Sequence, residues 1–272
     1  MRIVEKKKEY LKAIISYIIC ENPAICEIVK DATSRRQQKF TVQIKKDCNS
    51  WGSKDNGHII LGIGNLKRLI EICNDFNSTY NLEYNTENSI FNYSTDDDLN
   101  VEIYDVEEDF LNNIEFLNGT SVETVGTLAI NALAFTLYHE FGHVKYDDYC
   151  KLSIENERRA DLFAFEVVKD RCSEKDICFS PFFIGALLES VLILKVCDPS
   201  LSEVDTSHPH PIERLYCLLE YFHIQKDSFL WEYVYSEVVC WLNDNNIDMA
   251  FVKNFPISAK DKFLNVYLRF KK

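Results

Sequence analysis

Leu128-Ala129-Ile130-Asn131-Ala132-Leu133-Ala134-Phe135-Thr136-Leu137-Tyr138-His139-Glu140-Phe141-Gly142-His143 is a mainly apolar run that ends in H-E-x-x-H. The run reads as a buried helix. Residues four apart lie on one helical face, about 6 Å apart at Cβ. His139 and His143 can therefore reach one metal ion, with Zn–N bonds of about 2.0–2.1 Å. Glu140 can lean over the open coordination position and take a proton from a water there. A buried apolar helix must satisfy every polar group it carries. His-Glu-His within five residues is hard to accommodate there unless the three share a partner. The pattern points to a metal-dependent peptidase using Zn2+.

Two histidines do not complete a catalytic zinc site, which usually takes three protein ligands. Ile154 to Phe165 reads as an amphipathic helix without Pro or Gly. Glu157 and Asp161 share one face of it, near Ala160, Phe163 and Ala164, so that face is expected to point inward. Buried carboxylates are paired or bind metal. Glu157 is assigned as third ligand and Asp161 as acceptor for a ligand imidazole N–H. Asp161 as direct ligand is the rival assignment, and a solvated charged face is the bland one. Polar Lys145 to Ser153 breaks the first helix and lets the chain return antiparallel.

Downstream, Thr206-Ser207-His208-Pro209-His210-Pro211-Ile212-Glu213-Arg214 leads into a helix at or after Pro211. His208, held extended before Pro209, can sit over the site as a donor to a developing oxyanion. Arg214 can pair with Glu157 or Asp161. The plainer alternative is a loop with exposed histidines entering a helix.

HEFGH, then Glu157 to Asp161 as E-x-x-A-D, then Ser207-His208-Pro209 ending in Glu213-Arg214, resembles a gluzincin-type metallopeptidase. More narrowly, it is similar to the bacterial phage-exclusion protease Lit family, although Ser207 stands where that family has Thr. The resemblance extends to Gly57-His58-Ile59-Ile60-Leu61 and the apolar-periodic Leu66 to Phe76. It implies a zincin-like fold and a cytoplasmic zinc endopeptidase of anti-phage defence. It also implies a protein substrate such as elongation factor Tu and a phage-derived activator. The metal and base roles carry over to His139, Glu140, His143 and Glu157. Two alternatives use the same residues: a non-catalytic zinc-stabilised sensor, and a protease that cleaves a repressor or antitoxin of a mobile element.

Composition bounds the rest. With 272 residues, 46% hydrophobic and 13% aromatic, the chain can bury a substantial core. Its 43 Asp+Glu against 30 Lys+Arg, net −13, repel phosphate backbones, so nucleic acid is not expected as a partner. Lys6-Lys7-Lys8 and the other short basic clusters read as solvated faces. The ten cysteines contain no C-x-x-C and fit a reduced compartment as small buried hydrophobes. The start has no cleavage site like that of a signal peptide. Pro181 to Cys197 is interrupted by Glu189 and Lys195, so it reads as a core helix and no membrane partner is expected.

The expected architecture is α+β. One domain spans 1–272, with a mixed amino-terminal part over 1–120 and a helical zinc-binding part over 121–272. Glu5 to Val29 is helical with a break at Pro23. Lys39 to Ile44 and His58 to Ile63 are strands, joined as a hairpin through Asp55-Asn56-Gly57. Asn65 to Phe76 is a helix, Asn81 to Asp98 a surface loop, and Glu107 to Leu117 a short helix. Leu99 to Tyr104 is expected as the edge strand that holds extended substrate. Thr120 or Ser121 is expected to cap the zinc helix. Helices follow over about Ile212 to His223, Ser228 to Leu242 and Ser258 to Arg269.

Overall fold

The computed structural model describes residues 3–52, 58–84, 97–104, 106–112, 114, 123–148, 153–173, 176–198, 208–248 and 258–271. Helices α1 (Ile3–Cys20) and α2 (Pro23–Arg36) precede strands β1 (Phe40–Lys45), β2 (Trp51–Gly52) and β3 (His58–Gly62). Helix α3 (Leu66–Tyr80), strand β4 (Leu99–Ile103) and helix α4 (Glu108–Asn112) complete the amino-terminal part. Then come α5 (Thr124–Tyr146), α6 (Ile154–Arg171), α7 (Pro181–Val196), α8 (Pro211–Tyr221), α9 (Phe229–Asp244) and α10 (Ala259–Phe270). This is an α+β arrangement, mostly helical, with one small sheet among the described residues.

The sheet order is β2-β3-β1-β4. β1 pairs in parallel with both β3 and β4, and β2 runs antiparallel to β3. The expected hairpin between Lys39–Ile44 and His58–Ile63 is therefore wrong. The residues between the two strands are enough for the chain to cross over, and the strand antiparallel to His58–Gly62 is Trp51–Gly52. The turn at 55–57 lies outside the described residues. β1 is central because Phe40, Val42 and Ile44 are fully buried, alternating with half-buried neighbours. Phe40 stacks on Phe141 of α5, ring centroids 5.4 Å apart. The middle residue of HEFGH thus ties α5 to the sheet.

α5 is the central element. It carries little polarity on any face, and almost every residue from Gly126 to Val144 is buried. Such a helix needs neighbours all round; α7, α6 and α3 supply most of them. It starts at Thr124 with Glu123 at the N-cap and no side-chain cap bond, so the cap expected at Thr120 or Ser121 is not the one used; those two residues lie outside the described set. It ends at Asp147, which adopts φ 55° and donates its N–H to the His143 carbonyl. Asp tolerates this left-handed conformation better than most residues. α6 then begins with a conventional cap, Ser153 accepting from the Asn156 N–H.

The helices meet closely at two glycines. A Cβ on Gly142 would lie 2.9 Å from the Ala160 Cα, and one on Gly185 would lie 2.6 Å from the Asn131 Cβ. Gly142 therefore sets how near α6 comes to the histidine pair.

Two further expectations change. Lys7 is buried, not solvated, and its Nζ donates to the carbonyls of Leu111 (3.1 Å) and Asn112 (3.3 Å) at the carboxy-terminal end of α4. Of the described cysteines only Cys73 is buried. Among the described residues no helix is long and apolar enough to cross a membrane. The loop expected over Asn81–Asp98 lies mostly outside the described residues, as does the end of the helix expected over Glu107–Leu117.

Gly142→Ala is expected to destabilise the fold by about 1–3 kcal/mol, because backbone on α6 must move. A urea titration measures this. A midpoint equal to wild type would show that the two helices part without cost.

Candidate metal centre

His139 and His143 sit one turn apart on α5, and α6 crosses them at Gly142 and Ala160, so Glu157 arrives opposite both rings. The Nε2 atoms of His139 and His143 are 3.2 Å apart. Glu157 Oε2 lies 3.4 Å from the first and Oε1 3.4 Å from the second. A tetrahedral ion with bonds of 2.0–2.1 Å has donor–donor edges of about 3.3 Å. The three side chains, all at or near full burial, thus form a group that could hold a metal ion.

The far sides of both rings are held by carboxylates. His139 Nδ1 is 2.9 Å from Asp161 Oδ1, and His143 Nδ1 is 2.7 Å from Asp148 Oδ1. With each Nδ1–H donating outward, both Nε2 lone pairs face Glu157. The carboxylates are themselves anchored. Asp161 Oδ2 accepts from Arg214 Nε at 2.9 Å, and Asp148 Oδ2 accepts from Arg159 Nη2 at 2.7 Å. Arg214 Nη2 also stands 4.0 Å from Glu157. Beside this pair, Arg158 clamps Glu213 at 2.6 Å, joining α6 to α8 a second time.

His208, half exposed, brings its Nε2 to 3.6 Å from Glu157 Oε1. Its neighbour His210 turns the other way, into the core. There it accepts the Ile212 N–H to cap α8 and packs on Trp241 and Phe270. Ser207 and Thr206 lie outside the described residues. Glu140 is buried and lines the same cavity as the triad.

All the residues singled out from sequence thus come together: His139, Glu140, His143, Glu157, Asp161, His208 and Arg214. Two further groups join them. Asp148 is held on His143 by the turn that ends α5; its signal was an acid five residues after the second histidine. Glu189, on α7, accepts from Thr136 Oγ1 at 2.9 Å and lines the cavity. Its signal was a lone acid in an apolar core helix.

The electrostatics follow from this crowding. Burial pulls the His139 imidazolium down, but the Asp161 and Glu157 carboxylates outweigh it and push the group up to about 9. Burial would raise Glu157, yet the two imidazoles hold it well below the usual carboxylate range. Burial would raise Asp161, but Arg214 and His139 together lower it. Burial raises Glu189 to about 7.

Any metal taken up by the triad must displace the His139 proton. Protons compete with the metal below that group's pKa, so affinity is expected to rise with pH from 6 to about 9. Competition with a chelator across that range measures it, and a flat profile would contradict the ligand assignment. Asp148→Asn is expected to weaken metal binding by about 10- to 100-fold while the fold persists. Metal affinity equal to wild type would mean that Asp148 does not orient His143.

No curated protein and no solved structure matches the chain. The sequence profile of Peptidase U49 does match, over residues 84–234. That segment is more than half of the chain and contains α5, α6, α7 and α8, hence every side chain of the triad and its anchors. The chain belongs to the Peptidase U49 family, a family of peptidases.

Proposed function

We propose that the protein is a zinc-dependent endopeptidase that cuts a cytoplasmic protein during anti-phage defence, with elongation factor Tu as the candidate target. The observation that carries the zinc reading is the convergence of three buried side chains: the two Nε2 atoms lie 3.2 Å apart, and a Glu157 oxygen lies 3.4 Å from each. His139, His143 and Glu157 would hold the ion, one position short of a full shell, as catalytic zinc sites are. Bound there, zinc would supply Lewis-acid polarisation of the scissile carbonyl and acidify the attacking water.

The chain's own groups do the rest. Glu140 takes the proton of the attacking water and returns it to the leaving amine. His208, exposed at the mouth of the site, donates to the oxyanion of the tetrahedral intermediate. Asp161 and Arg214 keep the His139 ring in place, and Asp148 and Arg159 do the same for His143. The defence role and the target rest on the likeness of HEFGH, E-x-x-A-D and S-H-P…E-R to the Lit family. A phage-derived activator belongs to the same reading.

The test is zinc content and cleavage of purified elongation factor Tu, with and without extract from infected cells. About one zinc per chain is expected in wild type and in Glu140→Gln, with cleavage in wild type alone. Cleavage by Glu140→Gln at the wild-type rate would remove the base assignment. A folded chain that takes up no zinc would remove the metallopeptidase reading.

A further inference from the structure

Glu189 is the one acid on a helix, α7, that is otherwise apolar along its cavity face. Glu189, Leu192, Ile193 and Val196 line the cavity at spacings of three, four and seven residues, one continuous stripe. The stripe runs from a nearly buried Glu189 (9% exposed) to Val196 at 41% exposed. The cavity itself is large, about 860 Å³, and Leu66, Leu69 and Leu133 form its other apolar walls. Glu189 and Thr136 share its lining with His139, His143 and Glu157.

A carboxylate in such a place needs a partner. Thr136 satisfies Oε1. The nearest fixed cation, Arg214, has its Nε committed to Asp161 and its Nη2 nearest Glu157. A leucine at this position would have filled the wall at no electrostatic cost. A cavity wall of leucine and isoleucine beside a buried acid matches the two halves of a basic side chain: stem against the apolar wall, charge on the carboxylate.

We infer that this cavity is a subsite for a lysine or arginine side chain of the substrate, with Glu189 as its specificity-determining residue. This substrate class rests on the endopeptidase reading for its use, though the subsite itself is a binding property. Burial holds the empty Glu189 carboxyl near neutrality, up to about 7, and an incoming ammonium group would draw it into the charged form.

Two measurements test this. First, the purified chain is titrated with n-pentylamine and with 1-pentanol, followed by NMR. At least tenfold tighter binding of the amine is expected in wild type, and none of that preference in Glu189→Gln. Glu189→Asp keeps the charge but withdraws it by one methylene, so its preference should move towards n-hexylamine. Equal binding of amine and alcohol by wild type would overturn the inference, as would a preference that survives in folded Glu189→Gln. Second, the zinc-loaded protein is given peptide pairs that differ only in lysine against norleucine at each position in turn. At one position, kcat/KM should favour lysine by at least tenfold in wild type and not in Glu189→Gln. Cleavage without that preference sinks the subsite and leaves the peptidase. Amine selectivity without any cleavage, even with infected-cell extract added, sinks the peptidase and leaves the subsite.

Discussion

The close approach of α5 and α6 at Gly142 and Ala160 is the constraint on which the rest depends. Only a residue without a side chain lets the α6 backbone come this near, since a Cβ would stand 2.9 Å from the Ala160 Cα. At that separation Glu157 reaches two imidazoles at once and Asp161 reaches the back of one. Move α6 outward by the width of a methyl group and the donor atoms no longer share an ion. The glycine inside HEFGH is thus a packing requirement, and its neighbour Phe141 locks the opposite face of the same turn onto the sheet.

The second theme is charge kept inside an apolar core. Glu140, His143, Asp148, Glu157, Asp161 and Glu189 are all buried or close to it. Such a cluster is tolerable only if each group has partners, since removing one partner of a buried ion pair costs about 3–5 kcal/mol. Two arginines from different elements provide them: Arg159 from α6 through Asp148, and Arg214 from α8 through Asp161. The resulting chains run ring, carboxylate, guanidinium, and each ends at a different helix. The candidate metal centre is therefore also a tie between α5, α6 and α8, to which the Arg158–Glu213 pair adds a second link between α6 and α8.

Much of this was legible in the sequence because helical periodicity is local. H-E-x-x-H and the four-residue step from Glu157 to Asp161 give side-chain directions without any knowledge of the fold. The interruption at Pro23, the core helix from Pro181 and the three carboxy-terminal helices were readable for the same reason. Strand partnership was not. Lys39–Ile44 and His58–Ile63 look like a hairpin on paper, yet they lie parallel, because which strand sits beside which depends on the helices covering the sheet. For the same reason β4 lies on the edge far from the cavity, contributing none of its lining. The segment at 48–50, with His58, Gly62 and Ile63, lines it instead.

By itself the sequence determined the helices and the faces that carry His139, Glu140 and His143 on one and Glu157 and Asp161 on another, since these follow from spacing along each element. Only the tertiary structure decided what spans elements. It brought Asp148 round a left-handed turn onto His143 and turned His208 to the site while sending His210 into the core. It also set Glu189, an apparent flaw in an apolar helix, in the lining of the cavity it shares with the candidate metal ligands. Each of these depends on how two segments remote in sequence approach one another, and that distance is set by packing, which no local pattern encodes.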